Sequence, residues 1–135
     1  DLHTSTLTQY LAFEYLSGED IDMHIARVKE GYGKQRDRMI ECLEDLFPSD
    51  VGFTRPEGGM FLWVTLPDAC SSMELFGSAV ERGVAFVPGE PFYVDGGGRN
   101  TLRLNFSNTD VDTIEEGMRR LAECLKEYLE TRNSQ

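Results

Sequence analysis

The chain has 135 residues, 40% of them apolar and 27% charged, with 24 acidic against 13 basic side chains and a formal charge of −11. Its size and balance describe one ordinary globular domain able to bury a real core. The acidity argues against nucleic acid or an anionic membrane as partner, because both are polyanions. No apolar run approaches the roughly 20 residues that cross a bilayer, and the first residues lack the charge-then-apolar layout of a signal peptide, so a soluble protein is expected. Cys42, Cys70 and Cys124 are widely spaced without a Cys-x-x-Cys pair, and His3 and His24 stand apart. These spacings predict free, buried or half-buried thiols in a reducing cytoplasm and no metal site.

In chain order, residues 1–16 form a mildly amphipathic stretch with Leu7, Leu11 and Tyr15 at fourfold spacing, and Ser17-Gly18 reads as a helix stop. From Ile21, the residues Ile25, Val28, Tyr32, Met39, Leu43 and Leu46 recur in steps of three and four, interrupted at Gln35, until Pro48. Such a helix would run on the order of 40 Å, more than a compact domain of this size needs, so it is expected to reach past this core toward another body.

An extended segment follows. Val51-Gly52-Phe53-Thr54 leads through Arg55-Pro56-Glu57-Gly58-Gly59 into Met60-Phe61-Leu62-Trp63-Val64-Thr65-Leu66, whose aromatic and β-branched content predicts a strand paired antiparallel with the first. Ser71-Ser72-Met73-Glu74 has capping-box spacing ahead of a helix through Leu75, Phe76, Ala79 and Val80 that ends at Gly83. Val84-Ala85-Phe86-Val87 reads as a short buried strand, and the Pro88-Gly89 and triple-glycine segments as a long irregular loop. Thr109 or Asp110 can cap a last helix carrying Val111, Ile114, Met118, Leu121, Leu125 and Tyr128. The expected fold is α+β: a small, mainly antiparallel sheet of three to four strands covered on one side by helices.

The last strand, Thr101-Leu102-Arg103-Leu104-Asn105-Phe106-Ser107, is the most informative. Period two sends Leu102, Leu104 and Phe106 to a core and Arg103 and Asn105 to the other side. A guanidinium on a rigid strand suits carboxylate binding, because its planar fork offers two parallel hydrogen bonds. Taken alone, the strand favours a plainer role, an exposed arginine or a partner for some of the surplus carboxylates. Gly58-Gly59 alone likewise favours a simple turn. No phosphate-cradling glycine loop and no nucleophile elbow is present, and Lys29, Lys34 and Lys126 fall on charged helical faces.

Together the motifs are far more specific. Arg55-Pro56-Glu57-Gly58-Gly59-Met60-Phe61-Leu62-Trp63-Val64, then Gly83-Val84-Ala85-Phe86-Val87-Pro88-Gly89 with Phe92, then Leu102-Arg103-Leu104-Asn105-Phe106-Ser107, closely resemble the C-terminal part of class I/II aminotransferases. The wording is nearest the 2-aminoadipate aminotransferase-like branch, and Asp1-Leu2-His3-Thr4-Ser5-Thr6-Leu7-Thr8-Gln9 resembles the segment that follows the cofactor domain there. The resemblance implies a small domain at residues 19–135, within an α/β fold-type I enzyme, and a linking segment at residues 1–18. It implies that Arg103 grips the substrate α-carboxylate, with Gly58, Gly59 and Asn105 also near the substrate. It implies pyridoxal phosphate as cofactor in the full-length protein, amino acid and 2-oxo acid substrates, a cytoplasmic homodimer, and a large cofactor domain as partner of this one. The family's Schiff-base lysine, phosphate-binding residues and pyridine-facing aspartate have no matching motif here, so the chain alone is expected to be inactive, with no catalytic or cofactor-binding residue of its own. The rivals are the ligand-sensing domain of a winged-helix transcriptional regulator, in which the same region is fused behind a DNA-binding module, and a free-standing amino-acid sensor.

Overall fold

The computed structural model describes residues 32–133. Helix α1 (Tyr32–Leu46) is followed by strands β1 (Gly52–Phe53) and β2 (Phe61–Thr65), helix α2 (Ser72–Glu81), strand β3 (Val87–Pro88), a 3-10 turn (Glu90–Phe92), strand β4 (Thr101–Asn105) and helix α3 (Val111–Asn133). The four strands lie in the order β1-β2-β4-β3, and every neighbouring pair is antiparallel. The expected α+β layering is present. The expected start of the long helix, the stop at Ser17-Gly18, the linking segment at residues 1–18, and Lys29, His3 and His24 lie outside the described residues.

The period-two pattern of β2 and β4 decides the layers. Leu62 and Val64 on β2, with Leu102 and Leu104 on β4, are buried in one cluster with Met39 and Leu43 of α1, Leu75 and Ala79 of α2, and Ile114, Met118, Leu121 and Leu125 of α3. Each buried leucine removed from water is worth roughly 1.5–3 kcal/mol, so this covered side holds most of the stability. The intervening residues Phe61, Trp63, Arg103 and Asn105 are half-buried on the opposite side of the sheet. Cys42, Cys70 and Cys124 are free and buried.

Several local details differ from the sequence pattern. Leu46, expected on the α1 stripe, is 46% exposed, whereas Phe47 is buried at 8%. The stripe through Met39 and Leu43 continues by a step of four onto Phe47, whose N–H still donates to the Leu43 carbonyl at 3.3 Å. The strand expected over residues 84–87 is in the ladder only from Val87. Gly83, with φ of 78°, closes α2 by donating its N–H to Val80 O while Val84 N–H donates to Ala79 O. That pair of hydrogen bonds is a Schellman ending, and it holds Val84 to the helix rather than the sheet. Pro88 is tolerated in β3 because the strand is at the sheet edge.

The cap of α2 also departs from its expected form. Ser71 Oγ accepts from Glu74 N–H at 3.3 Å, as the spacing predicts. The reciprocal half is taken by α3: Ser71 N–H donates to Tyr128 Oη at 2.9 Å, and Tyr128 Oη donates to Glu74 Oε1 at 2.7 Å. At the start of α3 it is Asp110 that caps, its Oδ1 accepting from Thr113 N–H at 2.8 Å.

Candidate functional site

Strand pairing builds the open side of the sheet. Antiparallel register sets Trp63 opposite Arg103 and Phe61 opposite Asn105, so two aromatic residues of β2 share a side with the two polar residues of β4. β3 closes the other flank of β4, with Val87 opposite Arg103. Gly89 then donates its N–H to Thr101 O at 2.8 Å, and the 3-10 turn carries Phe92 back toward the sheet. Gly89 has no room for a side chain, since a Cβ there would run into Thr101 Oγ1 and stand 3.0 Å from the Trp63 ring.

The Arg103 guanidinium lies over the Phe61 ring, 4.0 Å from its centroid, and 5.6 Å from the centroid of Phe92. Phe92 in turn meets Trp63 edge-on at 5.8 Å. Arg103 Nε is sealed from solvent without a hydrogen-bond partner among the described residues, which leaves Nη1 and Nη2 as the reachable donors. Burial in this aromatic setting pushes the guanidinium pKa down from its ordinary value. No described carboxylate pairs with it. Arg36, Arg38, Arg55, Arg82, Arg119, Arg120 and Arg132 all reach an Asp or Glu oxygen. In a chain with 24 acidic side chains, a half-buried arginine without a carboxylate among the described residues stands out. The seven paired arginines fill the role of partner for surplus acids, and Arg99, which pairs with no described acid either, is exposed to solvent.

The remaining sequence-derived candidates gather at one end of this surface. The loop holding Gly58 and Gly59 enters β2 at Phe61, opposite Asn105, and is tied down by Arg36 Nη1 donating to Glu57 O at 2.7 Å and Phe106 N–H donating to Met60 O at 3.0 Å. Gly59 has φ of 77°, which excludes most side chains, and neither glycine has a heavy atom within 4 Å of where a Cβ would sit. Among the described residues, the space around these two positions is therefore open. Asn105 is partly committed elsewhere, its Oδ1 accepting from Ser107 N–H at 2.6 Å and Ser107 Oγ–H at 2.7 Å. It shapes the turn after β4 and keeps only its amide N–H groups for other partners.

Phe61, Trp63 and Phe92 as a setting for Arg103 are absent from the expected site. The signal lies in the alternation of β2: once Leu62 and Val64 are assigned inward, Phe61 and Trp63 must share the side of Arg103. A separate cleft of ≈ 380 Å³ opens where residues 84–86 part from β4, bordered by Arg103, Asn105, Ile114 and Met118. Its lining is mostly apolar and offers no further charge.

The described residues do not fit pyridoxal phosphate by themselves. Lys34 and Lys126, the lysines among the described residues, are exposed on α1 and α3, the layer on the covered side of the sheet. Among the described residues no cluster of three His, Cys, Asp or Glu side chains is placed to hold a metal ion. None of the described helices is long and apolar enough to cross a membrane.

Comparison with known proteins gives a concordant result. A family model described as aminotransferase class I and II matches residues 1–121. The chain is 45% identical over 129 residues to a 2-aminoadipate transaminase of Thermus thermophilus, covering 96% of this chain and 32% of that protein. It is 43% identical over 129 residues to aromatic-amino-acid aminotransferase 1 of Thermococcus litoralis, covering 96% of this chain and 31% of that protein. The chain thus spans about a third of the length of the curated relatives it matches. The crystal structure of LysN, the α-aminoadipate aminotransferase of Thermus thermophilus complexed with N-(5'-phosphopyridoxyl)-L-leucine, superposes with a TM-score of 0.76 at 43% identity, over 84% of this chain and 29% of that one. Matched transcriptional regulators of the helix-turn-helix type are more distant, at 29%, 25% and 23% identity.

Proposed function

This chain belongs to the class I and II aminotransferase family, and on that premise we propose that it is the substrate-carboxylate-binding small domain of a pyridoxal-phosphate-dependent aminotransferase. Residues 19–135 form that domain, and residues 1–18 link it to a larger cofactor-binding one. The full-length protein transfers an amino group between an amino acid and a 2-oxo acid, as a homodimer. The cofactor supplies the electron sink for that chemistry, and its lysine and phosphate ligands belong to the larger domain. The part played by this chain is to hold one end of the substrate.

The observation that carries the reading is the bare Arg103 guanidinium, desolvated over Phe61 with no carboxylate partner among the described residues. A half-buried cation with a sealed Nε and no described anion carries a desolvation cost, and a ligand carboxylate at Nη1 and Nη2 would offset it through charge-assisted bonds. Open space over Gly58 and Gly59 leaves room for the rest of the ligand. Support for an enzyme over a regulator comes from identity, since the two relatives described above at 45% and 43% are both aminotransferases, whereas the matched regulators lie at 29% and below.

The test is Arg103→Gln in the full-length protein. Losing one partner of a desolvated charge pair costs 2–5 kcal/mol, so kcat/KM for an amino acid should fall by on the order of 100-fold. An unchanged kcat/KM removes Arg103 from the role. The isolated chain mixed with pyridoxal phosphate should show no stoichiometric Schiff-base absorbance that survives gel filtration.

A further inference from the structure

Because Arg103 lacks a described carboxylate partner, something else must fix where its guanidinium stands. The long, flexible side chain of an arginine is usually held by the acids it meets. Among the described residues, the Phe61 ring is the nearer of two aromatic groups that favour a cation, 4.0 Å from the guanidinium carbon. Phe61 is itself rigid, as a ladder residue of β2 paired with Asn105 and half-buried. Phe92 is a poorer support, being 5.6 Å away, 55% exposed and carried on a short turn.

We propose that Phe61 is a positioning residue for substrate recognition: its ring holds the Arg103 guanidinium so that Nη1 and Nη2 are presented to the substrate carboxylate without a competing protein acid. The inference rests on the carboxylate-binding role of Arg103. It explains why the strand places an aromatic residue, rather than a glutamate or aspartate, beside this arginine. A carboxylate at position 61 would orient the guanidinium equally well but would neutralise it and occupy its donors. A ring orients the cation and leaves every N–H reachable from solvent free for a ligand. It also keeps water from the guanidinium, which strengthens the bond to an incoming anion.

The experiment uses the full-length protein and a matched pair of amino donors, an α-amino acid and the amine with the same side chain but no carboxylate. The readout is the ratio of their kcat/KM values, which isolates carboxylate recognition from the rest of catalysis. Phe61→Leu and Phe61→Met, both without a ring, should lower the ratio about 5- to 10-fold, as expected for loss of one desolvated cation–π contact. Phe61→Tyr, which keeps the ring, should retain it within about twofold. A ratio unchanged in both ring-free variants, or equal losses for both donors, overturns the proposal while Arg103→Gln still collapses the ratio. If Arg103→Gln itself leaves the ratio unchanged, the carboxylate-binding reading fails, and the role of Phe61 fails with it.

Discussion

The two sides of one five-residue strand obey different rules. Along β2, Leu62 and Val64 are buried in one apolar cluster with residues of three helices. Phe61 and Trp63, one residue away in each direction, look onto a surface holding a desolvated cation with no described anion. The covered side is consistent at every level: alternation, burial and helix stripes all point to the same packing. Among the described residues the open side departs from the rule that desolvated charge is paired, and such departures concentrate where a ligand completes the structure. The contrast shows which side the fold needs for stability and which it holds ready for chemistry.

Breaking the covered side should have the largest effect. Leu62 is completely buried, so Leu62→Ala should cost about 3 kcal/mol, read as a lowered urea midpoint at unchanged m. A loss below about 1 kcal/mol would mean that the helices repack into the cavity and that the two sides differ less than described. Next comes Gly89, the close contact between β3, β4 and Trp63. Gly89→Ala forces Thr101 and Trp63 apart, and should cost about 2 kcal/mol through overpacking, measured by the same unfolding curve. Wild-type stability for that variant would show that the open side tolerates displacement of its aromatic floor.

Arg103→Met sharpens the comparison most directly, because its expected sign is reversed. Removing a half-buried cation that no described acid neutralises, while keeping a flexible apolar stem over the Phe61 ring, should raise stability by about 1 kcal/mol, and carboxylate recognition in the full-length protein should be lost. A destabilised Met variant would assign Arg103 to the fold rather than to a ligand.

The covered side was nearly all legible in the sequence, because steps of two in β2 and β4 and steps of three and four in the helices encode burial directly. The misread positions there were end effects. Val84 belongs to the ending of α2, since Gly83 donates backwards into the helix, a backbone event that an apolar run does not reveal. The Tyr128 bond to Ser71 was invisible because it joins residues 57 apart in the chain. On the open side, the arginine was legible as a candidate, but its lack of an acid partner among the described residues was not. Pairing depends on where 24 acidic residues end up, and only the assembled sheet brings Phe61 under the guanidinium. Asn105 illustrates the converse: polar and on the right side by alternation, it spends its carbonyl oxygen on Ser107.

Acid provides the finest test of whether the two sides respond independently. Asp110 caps α3, the long helix of the covered layer, and the backbone N–H of Thr113, followed by the Thr113 side chain, holds its carboxyl below the usual value. A carboxylate with a depressed folded pKa adds stability that is complete above the unfolded value, about 3.9, and disappears as pH falls through the folded one. Arg103 stays charged throughout this range, even with its pKa lowered by burial, so the open side should not change. Asn caps a helix about as well as Asp but does not titrate. Asp110→Asn should therefore melt near the wild-type temperature at pH 6 and lose less stability than wild type on acidification below about pH 4. Glu116, held down by Arg120 and Arg119, contributes to acid sensitivity in both proteins, so the difference between their curves isolates the cap. Parallel curves of melting temperature against pH would show that the Asp110 charge does not stabilise the covered layer.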